Sequence, residues 1–101
     1  MKVIKFGGSS LADAKQIKKV CSIVLSDRQR RIVVVSAPGK RDGNDTKVTD
    51  LLINLAQTCR DGGDKEAALD AVIERYASIA KDLHLGKEII TTIKKDLIGR
   101  I

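Results

Sequence analysis

The sequence is nearly free of aromatic side chains, with no Trp, one Phe and one Tyr in 101 residues. Proteins that bind single-stranded nucleic acids usually stack bases on such side chains, and the sequence has no recognised nucleic-acid-binding motif. We therefore expect no nucleic-acid partner. The core must be packed from Ile, Leu, Val and Ala, which suits a helix-rich α/β chain with an ordinary hydrophobic fraction of 43%.

Cysteine and histidine are also scarce. Cys21 and Cys59 show no CxxC spacing and fall on apolar faces of predicted helices, so we expect buried free thiols in a reducing compartment. The one histidine, His84, stands alone at a predicted helix end, without a neighbouring cluster of metal ligands. The sequence therefore predicts no metal site.

Long apolar runs are absent. No stretch approaches the ~20 apolar residues that a membrane-spanning helix needs, and the N-terminus does not resemble a signal peptide. The sequence therefore predicts a soluble, cytoplasmic protein without a membrane partner.

The first half of the chain predicts a βαβ unit. Val3–Phe6 is a predicted strand, and the β-branched run Ile32–Ser36 predicts a second, parallel strand buried on both faces. Ser10 followed by Asp13 predicts the N-cap of a helix between them, and the polar segment Asp27–Arg31 returns the chain to the second strand. The apolar positions at helical spacing are Ile17, Val20, Cys21, Val24 and Leu25.

The second half predicts three helices. The first covers Val48–Arg60 and ends at Gly62 and Gly63, the second is capped by Asp64, and the third covers Lys87–Ile101. A two-stranded sheet covered by helices is not self-sufficient, because natural sheets usually have more strands. The predicted fold class is therefore α/β, a βαβ unit followed by helices, with an incomplete sheet that belongs to a larger protein.

The most informative segment is Lys2–Ser10, where an apolar strand carrying Lys5 breaks into Gly7 and Gly8, then two serines, before a helical pattern begins. A helix start exposes unpaired N–H groups, and glycines let a bulky anion approach the backbone. This arrangement favours a phosphate group, to which Lys5 would add a full positive charge. The segment is neither a Walker P-loop nor a G-x-G-x-x-G turn, and a plain strand-to-helix turn of small residues is the alternative.

Two hydroxyl residues are predicted at the same end of the sheet. Ser36 ends the second strand and Thr49 begins the next helix, and between them lies the charged, turn-rich stretch Ala37–Lys47. Ligands bind at the carboxyl ends of parallel strands, although both hydroxyls could equally bond only to backbone. Asp50 is interpreted as a helix-dipole partner, and the basic side chains of the stretch as solvated charges.

The formal net charge of +6 is unevenly distributed. Residues 1–50 hold eleven Lys or Arg against five Asp, whereas residues 51–101 hold eight basic and eight acidic residues. The excess lies in the half that contains the glycine turn, where a nucleoside triphosphate would account for it. Reasoning from the residues alone thus leads to a phosphate-binding crevice.

Three motifs add a family resemblance: KFGGSSLAD at the start, VVVSAPGK at the second strand and KVTDLL at the next helix. In this order and spacing they resemble the N-terminal third of aspartate kinases, members of the amino acid kinase family with a carbamate-kinase-like three-layer (αβα) fold. The resemblance covers essentially all 101 residues. It implies that residues 1–101 are the N-terminal portion of a catalytic domain, without the rest of that domain or the regulatory ACT domains.

The resemblance also implies a reaction, phosphoryl transfer from ATP with Mg²⁺ to the side-chain carboxylate of L-aspartate, the first step toward lysine, threonine and methionine. Lys5 would neutralise charge on the transferring group. A homo-oligomeric full-length protein is implied as well. The residues that match binding positions of the family are Lys5, Gly7, Gly8 and Ser9 for the phosphoryl group and Ser36 and Thr49 for the amino acid.

The chain stops before the family's substrate-clamping Glu and Arg, its lysine-organising Asp and its nucleotide-base pocket, so we expect it to be inactive alone. Two alternatives stay open. One keeps the family and changes the acceptor to glutamate, acetylglutamate or carbamate, although KFGGSS and KVTDLL favour aspartate. The other is a small basic module that binds nucleic acid or an acidic protein, with an affinity that falls steeply with salt.

Overall fold

The computed structural model describes residues 1–101 as two compact units, Met1–Thr49 and Asp50–Ile101. The predicted order, a βαβ unit followed by helices, is confirmed, and so is the incomplete, two-stranded parallel sheet. None of the helices combines the length and the apolar character needed to cross a membrane. In chain order the elements are β1 (Lys2–Phe6), a 3₁₀ turn (Gly8–Leu11), α1 (Ala14–Leu25), β2 (Arg30–Val35), α2 (Val48–Asp61), α3 (Lys65–Asp82) and α4 (Lys87–Arg100).

In the first unit, β1 and β2 pair in parallel, with Phe6 opposite Val35. Phe6 forms a buried cluster with Leu11 and Val20, so this face of β1 packs on α1. Successive strand side chains point to opposite faces of a sheet. Lys5 therefore extends from the face away from α1, and it is exposed.

The predicted burial of β2 on both faces is wrong. The side chains of Ile32, Val33, Val34 and Val35 are 39–58% exposed. The cluster under α1 is formed with β1, through Ile4 and Phe6, and β2 has a single neighbouring strand. An unbroken β-branched run thus indicates a strand, but whether its faces are covered depends on elements distant in sequence.

The start of α1 also differs from the prediction, because Ser10 is not its N-cap. The chain first closes the 3₁₀ turn, in which the Ser10 amide donates to the Gly7 carbonyl at 3.1 Å. Asp13 then caps α1, since its carboxylate accepts a hydrogen bond from the Gln16 amide at 3.0 Å. The cap is therefore three residues later than predicted.

We expect Asp13→Ala to lower the free energy of unfolding by about 1 kcal/mol, because it leaves the Gln16 amide without its side-chain acceptor. Asp13→Asn is the matched control, since asparagine caps helices about as well. Urea denaturation of the three proteins measures the difference. Equal destabilisation by both substitutions would show that the carboxylate charge, and not the cap, is what matters.

The two cysteines have different environments. Cys21 is exposed, against the prediction that it is buried, whereas Cys59 is partly buried and packs against the core of the second unit. Both thiols are free. Helical spacing placed Cys21 on the apolar side of α1, but the contact with the narrow sheet is made through Val20 and its neighbours Ile17 and Val24. Cys21 lies outside that contact.

The core of the second unit is formed by α2, α3 and α4. Leu55 of α2 is 2% exposed and Val72 of α3 is 0% exposed. Leu97 of α4 packs against the same cluster, as does Tyr76, and burial raises the pKa of the Tyr76 hydroxyl above its usual value. Asp64 is confirmed as the N-cap of α3, with its carboxylate accepting from the Ala67 amide at 3.1 Å.

Helices α2 and α3 end in the same way, with one residue in the left-handed region. Gly62 has φ +74° and His84 has φ +58°. The next amide then donates five residues back, Gly63 to the Thr58 carbonyl and Leu85 to the Ala80 carbonyl, which is the Schellman pattern. His84 thus serves as a helix terminator. No group of three or more His, Cys, Asp or Glu residues could hold a metal ion.

These two helix ends predict stability changes of opposite sign. Gly62→Ala is expected to lower the free energy of unfolding by about 1 kcal/mol, because a Cβ disfavours a left-handed backbone. His84→Gly is expected to raise it by up to about 1 kcal/mol for the same reason. Urea denaturation checks both signs. A stabilised Gly62→Ala protein would contradict the left-handed end of α2.

Candidate phosphate-binding site

The glycine turn and the segment after β2 leave the sheet at the same edge. Phe6 and Val35 are paired in the parallel ladder, so Gly7 and Ser36, the next residues of each strand, lie at its carboxyl end. This end of a parallel sheet is where ligands bind in open α/β folds. The predicted proximity of the two segments is confirmed by direct backbone contact between the residues that follow.

The glycine turn presents backbone donors, but not from an α-helix. Gly7 is extended (φ −78°, ψ 175°) and caps the 3₁₀ turn without a side-chain hydrogen bond. The amides of Gly8 and Ser9 precede the first bond of the turn, which the Ser10 amide makes. The start of α1 lies further on and is capped by Asp13. Any donors that this turn offers are therefore local N–H groups, because the N-terminus of α1 lies further on.

Gly8 and Gly39 are in close backbone contact. The Gly39 amide donates to the Gly8 carbonyl at 2.7 Å. A Cβ on Gly39 would lie 2.7 Å from the Gly8 carbonyl carbon and 2.9 Å from the Ser9 nitrogen, and a Cβ on Gly8 would lie 3.0 Å from the Ala37 carbonyl oxygen. Gly39 therefore leaves no room for a Cβ, and a Cβ on Gly8 would be in tight contact, because the two backbones touch.

The same loop is bonded to the start of α2. The amide of Val48, the first residue of α2, donates to the Pro38 carbonyl at 2.9 Å. Thr49 is the next residue, and its side chain is exposed, as is that of Ser36 at the other end of the loop. Asp50 lies in the first turn of α2, as predicted. The loop thus joins the glycine turn to the helix that carries Thr49.

The charged part of the loop has internal structure. The Arg41 guanidinium lies 2.7 Å from the Asp45 carboxylate, which also accepts a hydrogen bond from the Arg41 amide at 2.9 Å. Arg41 is therefore an exposed charge, as predicted, and it is paired within the loop. Lys40 and Lys47 are exposed. The positive side chain nearest the glycine turn in sequence is Lys5 at the end of β1.

Pro38 and Gly39 are both buried, although a Pro-Gly pair in the sequence predicts only a turn. Nothing in the 30 residues between them identifies Gly8 as the partner of Gly39. When two backbones are in close contact, the only feature visible in the sequence is a glycine in each of the two segments.

Comparisons with known proteins agree with this arrangement. The sequence profile of the amino acid kinase family matches residues 1–100. Aspartokinase 3 of Bacillus subtilis is 56% identical over 96% of this chain and 21% of its own length. The aspartokinase of Chlamydia trachomatis is 39% identical over 80% of this chain and 16% of its own length.

Solved structures match as well. The aspartate kinase of Clostridium acetobutylicum superimposes with a TM-score of 0.82 and 38% identity, over 93% of this chain and 22% of that one. E. coli aspartokinase III, crystallised with aspartate and ADP, gives a TM-score of 0.70 and 31% identity, over 95% of this chain and 20% of that one. The chain spans about a fifth of the length of these relatives, and not the third that the motifs predict. With the family profile matching almost every residue, the chain belongs to the amino acid kinase family.

Proposed function

We propose that the protein containing this chain transfers the γ-phosphoryl group of Mg-ATP to the side-chain carboxylate of L-aspartate. The observation that carries the proposal is the glycine turn held against Gly39 at the carboxyl end of a parallel strand pair, in a chain 56% identical to an aspartokinase. The relative crystallised with aspartate and ADP supports the choice of acceptor and nucleotide.

In this reaction a carboxylate oxygen of aspartate forms a bond to the γ-phosphorus while the bond to the β,γ-bridging oxygen breaks, so that ADP leaves. Such transfer is accelerated mainly by positioning and by stabilising negative charge. Lys5 would supply positive charge to the transferring group, and the amides of Gly7, Gly8 and Ser9 would donate to its oxygens. Lys5 is exposed and is therefore available to a ligand on the sheet face away from α1.

Magnesium enters this reaction as part of the substrate Mg-ATP. The residues of this chain contain no cluster of His, Cys, Asp and Glu able to hold a metal ion. Mg²⁺ is usually bound through substrate phosphates and water with one or two carboxylates. In the proposed reaction this chain contributes to phosphate binding, and the ion arrives with the nucleotide.

The acceptor side of the site would be formed by Ser36 and Thr49. Both residues are exposed, and they lie at the two ends of the loop that contacts the glycine turn. A hydroxyl is a good partner for the charged groups of an amino acid because it both donates and accepts hydrogen bonds. We infer that these two residues hold aspartate next to the γ-phosphate.

The proposal is tested with the complete protein, Mg-ATP and either L-aspartate or L-glutamate, with the acyl phosphate trapped by hydroxylamine. We expect aspartyl hydroxamate and no glutamyl product. Product with glutamate alone would show that the acceptor is glutamate, and would contradict the proposal of aspartate as the acceptor. No product with either amino acid, from protein shown to be folded, would overturn the kinase proposal.

We further infer that residues 1–101 are the N-terminal portion of the catalytic domain and that this portion is inactive alone. The support is the length of the relatives, of which the chain spans about a fifth. In the complete protein we expect a homo-oligomer in the cytoplasm that begins the route to lysine, threonine and methionine. Hydroxamate formation by the isolated 101-residue chain at the rate of the complete protein would contradict the inference of inactivity.

A further inference from the structure

The buried pair Pro38 and Gly39 lies between the two halves of the proposed site. On one side, the Gly39 amide donates to the Gly8 carbonyl at 2.7 Å. On the other, the Pro38 carbonyl accepts from the Val48 amide at 2.9 Å. Two adjacent residues thus hold both the phosphate-binding turn and the start of the helix that carries Thr49.

We propose that Pro38 and Gly39 form a positioning segment, which sets the separation between the phosphate-binding amides and Thr49 and so aligns the γ-phosphoryl group with the acceptor carboxylate. This role rests on the proposed function. It is distinct from the ligand contacts assigned above, because neither residue is required to touch the substrate.

The contact with Gly8 determines where the adjacent amide points. A trans peptide group is planar, and its C=O and N–H point in opposite directions. No peptide bond of the chain is cis. Because the Gly8 carbonyl is directed at Gly39, the Ser9 N–H of the same peptide group points away from the loop. Gly39 therefore keeps this donor directed outward, where a phosphate oxygen can reach it.

The contact between Gly39 and Gly8 is also rigid, because it is made by backbone atoms of both residues. A Cβ on Gly39 would come within 2.9 Å of three backbone atoms of Gly8 and Ser9, and none of these is a flexible side chain that could turn aside. On the helix side, Val48 is completely buried, so the amide that donates to Pro38 is held in place by packing. A displacement of Gly39 therefore also displaces the glycine turn, the start of α2, or both.

Misalignment has a specific chemical consequence. If the carboxylate no longer lies in line with the γ-phosphorus, a water molecule can attack instead, and ATP and water give ADP and inorganic phosphate. The aspartyl phosphate formed for each ATP consumed then falls. This ratio does not depend on how much of the protein is folded, so a purely structural role of Gly39 would leave it unchanged.

The experiment measures this ratio and kcat in the complete protein carrying Gly39→Ala, with Gly43→Ala as the matched control. Gly43 lies in the same loop, and a Cβ there meets nothing within 4 Å. A misplacement of about 1 Å can lower the rate about 100-fold, so we expect a loss of this size in Gly39→Ala together with a reduced ratio. Gly43→Ala is expected to match the wild-type protein in both quantities.

A second variant, Val48→Pro, removes the donor to the Pro38 carbonyl at the first position of α2, where the helix backbone tolerates proline. Because Val48 is completely buried, circular dichroism first checks that this variant is folded. Val48→Pro is also expected to lower the amount of aspartyl phosphate formed for each ATP consumed. It tests the positioning role if Gly39→Ala does not fold. A wild-type ratio in Val48→Pro, or in folded Gly39→Ala, would overturn the positioning role. Failure of the wild-type protein to make aspartyl phosphate would instead overturn the proposed function, before any variant is compared.

Discussion

Replacing Lys5 with alanine in the complete protein is expected to lower kcat for aspartyl phosphate formation by about 10²- to 10³-fold, the usual effect of removing one group that stabilises transition-state charge. The thermal unfolding midpoint should hardly change. Lys5 is exposed on the sheet face away from α1, and surface substitutions of this kind usually alter stability by about 0.5 kcal/mol or less.

Lys2→Ala is the matched control, because Lys2 is a second exposed lysine of β1. Its ammonium group lies 2.7 Å from the Asp27 carboxylate, and this hydrogen bond holds the pKa of Asp27 below its usual value. Lys2→Ala should let that pKa rise toward the ordinary value while leaving kcat unchanged. Equal losses of kcat in the two variants, or a Lys5→Ala protein that loses stability in proportion to activity, would contradict the role of Lys5.

Leu55→Ala is expected to give the largest stability change in the second unit, about 2–5 kcal/mol of the free energy of unfolding. Leu55 is 2% exposed and contacts the cluster formed with Leu69 and Val72. The deletion removes buried methyl groups and leaves a cavity that fixed helices cannot easily fill. Urea denaturation, followed by circular dichroism, measures the loss.

Ile53→Ala on the same helix provides the comparison, since Ile53 is 50% exposed. Its truncation should cost much less than that of Leu55, at most about 1 kcal/mol. Similar losses at both positions would show that α2 does not present Leu55 to the core in solution. A small loss at Leu55 alone would mean that the surrounding helices collapse into the space.

Local patterns were enough to predict the elements of this chain. The helical spacing of apolar residues predicts α2 and α3. Asp64 predicts the start of α3, because an N-cap residue bonds to an amide within the first turn of its helix. The choice between Ser10 and Asp13 was wrong because both are good caps, and only the intervening 3₁₀ turn decides between them. Such short turns have no strong sequence signature.

The properties that could not be predicted from the sequence depend on contacts between residues far apart in the chain. Whether β2 is covered depends on what packs against its faces, and the β-branched run is the same in either case. The exposure of Cys21 depends on the width of the sheet against which α1 packs. In the candidate site, Lys5 and the glycine turn could be predicted from one continuous segment. The contact of Gly39 with Gly8 could not, because it joins residues far apart in the chain.

In the proposed function the glycine turn holds the transferring phosphoryl group beside the acceptor. A crystal structure of the complete protein with Mg²⁺, a non-hydrolysable ATP analogue and L-aspartate tests it most directly. We expect the terminal phosphate at about 3 Å from the amides of Gly8 and Ser9 and from Lys5 Nζ, with the aspartate side chain facing it from Ser36 and Thr49. A terminal phosphate bound away from the glycine turn, with both ligands fully occupied, would contradict the account.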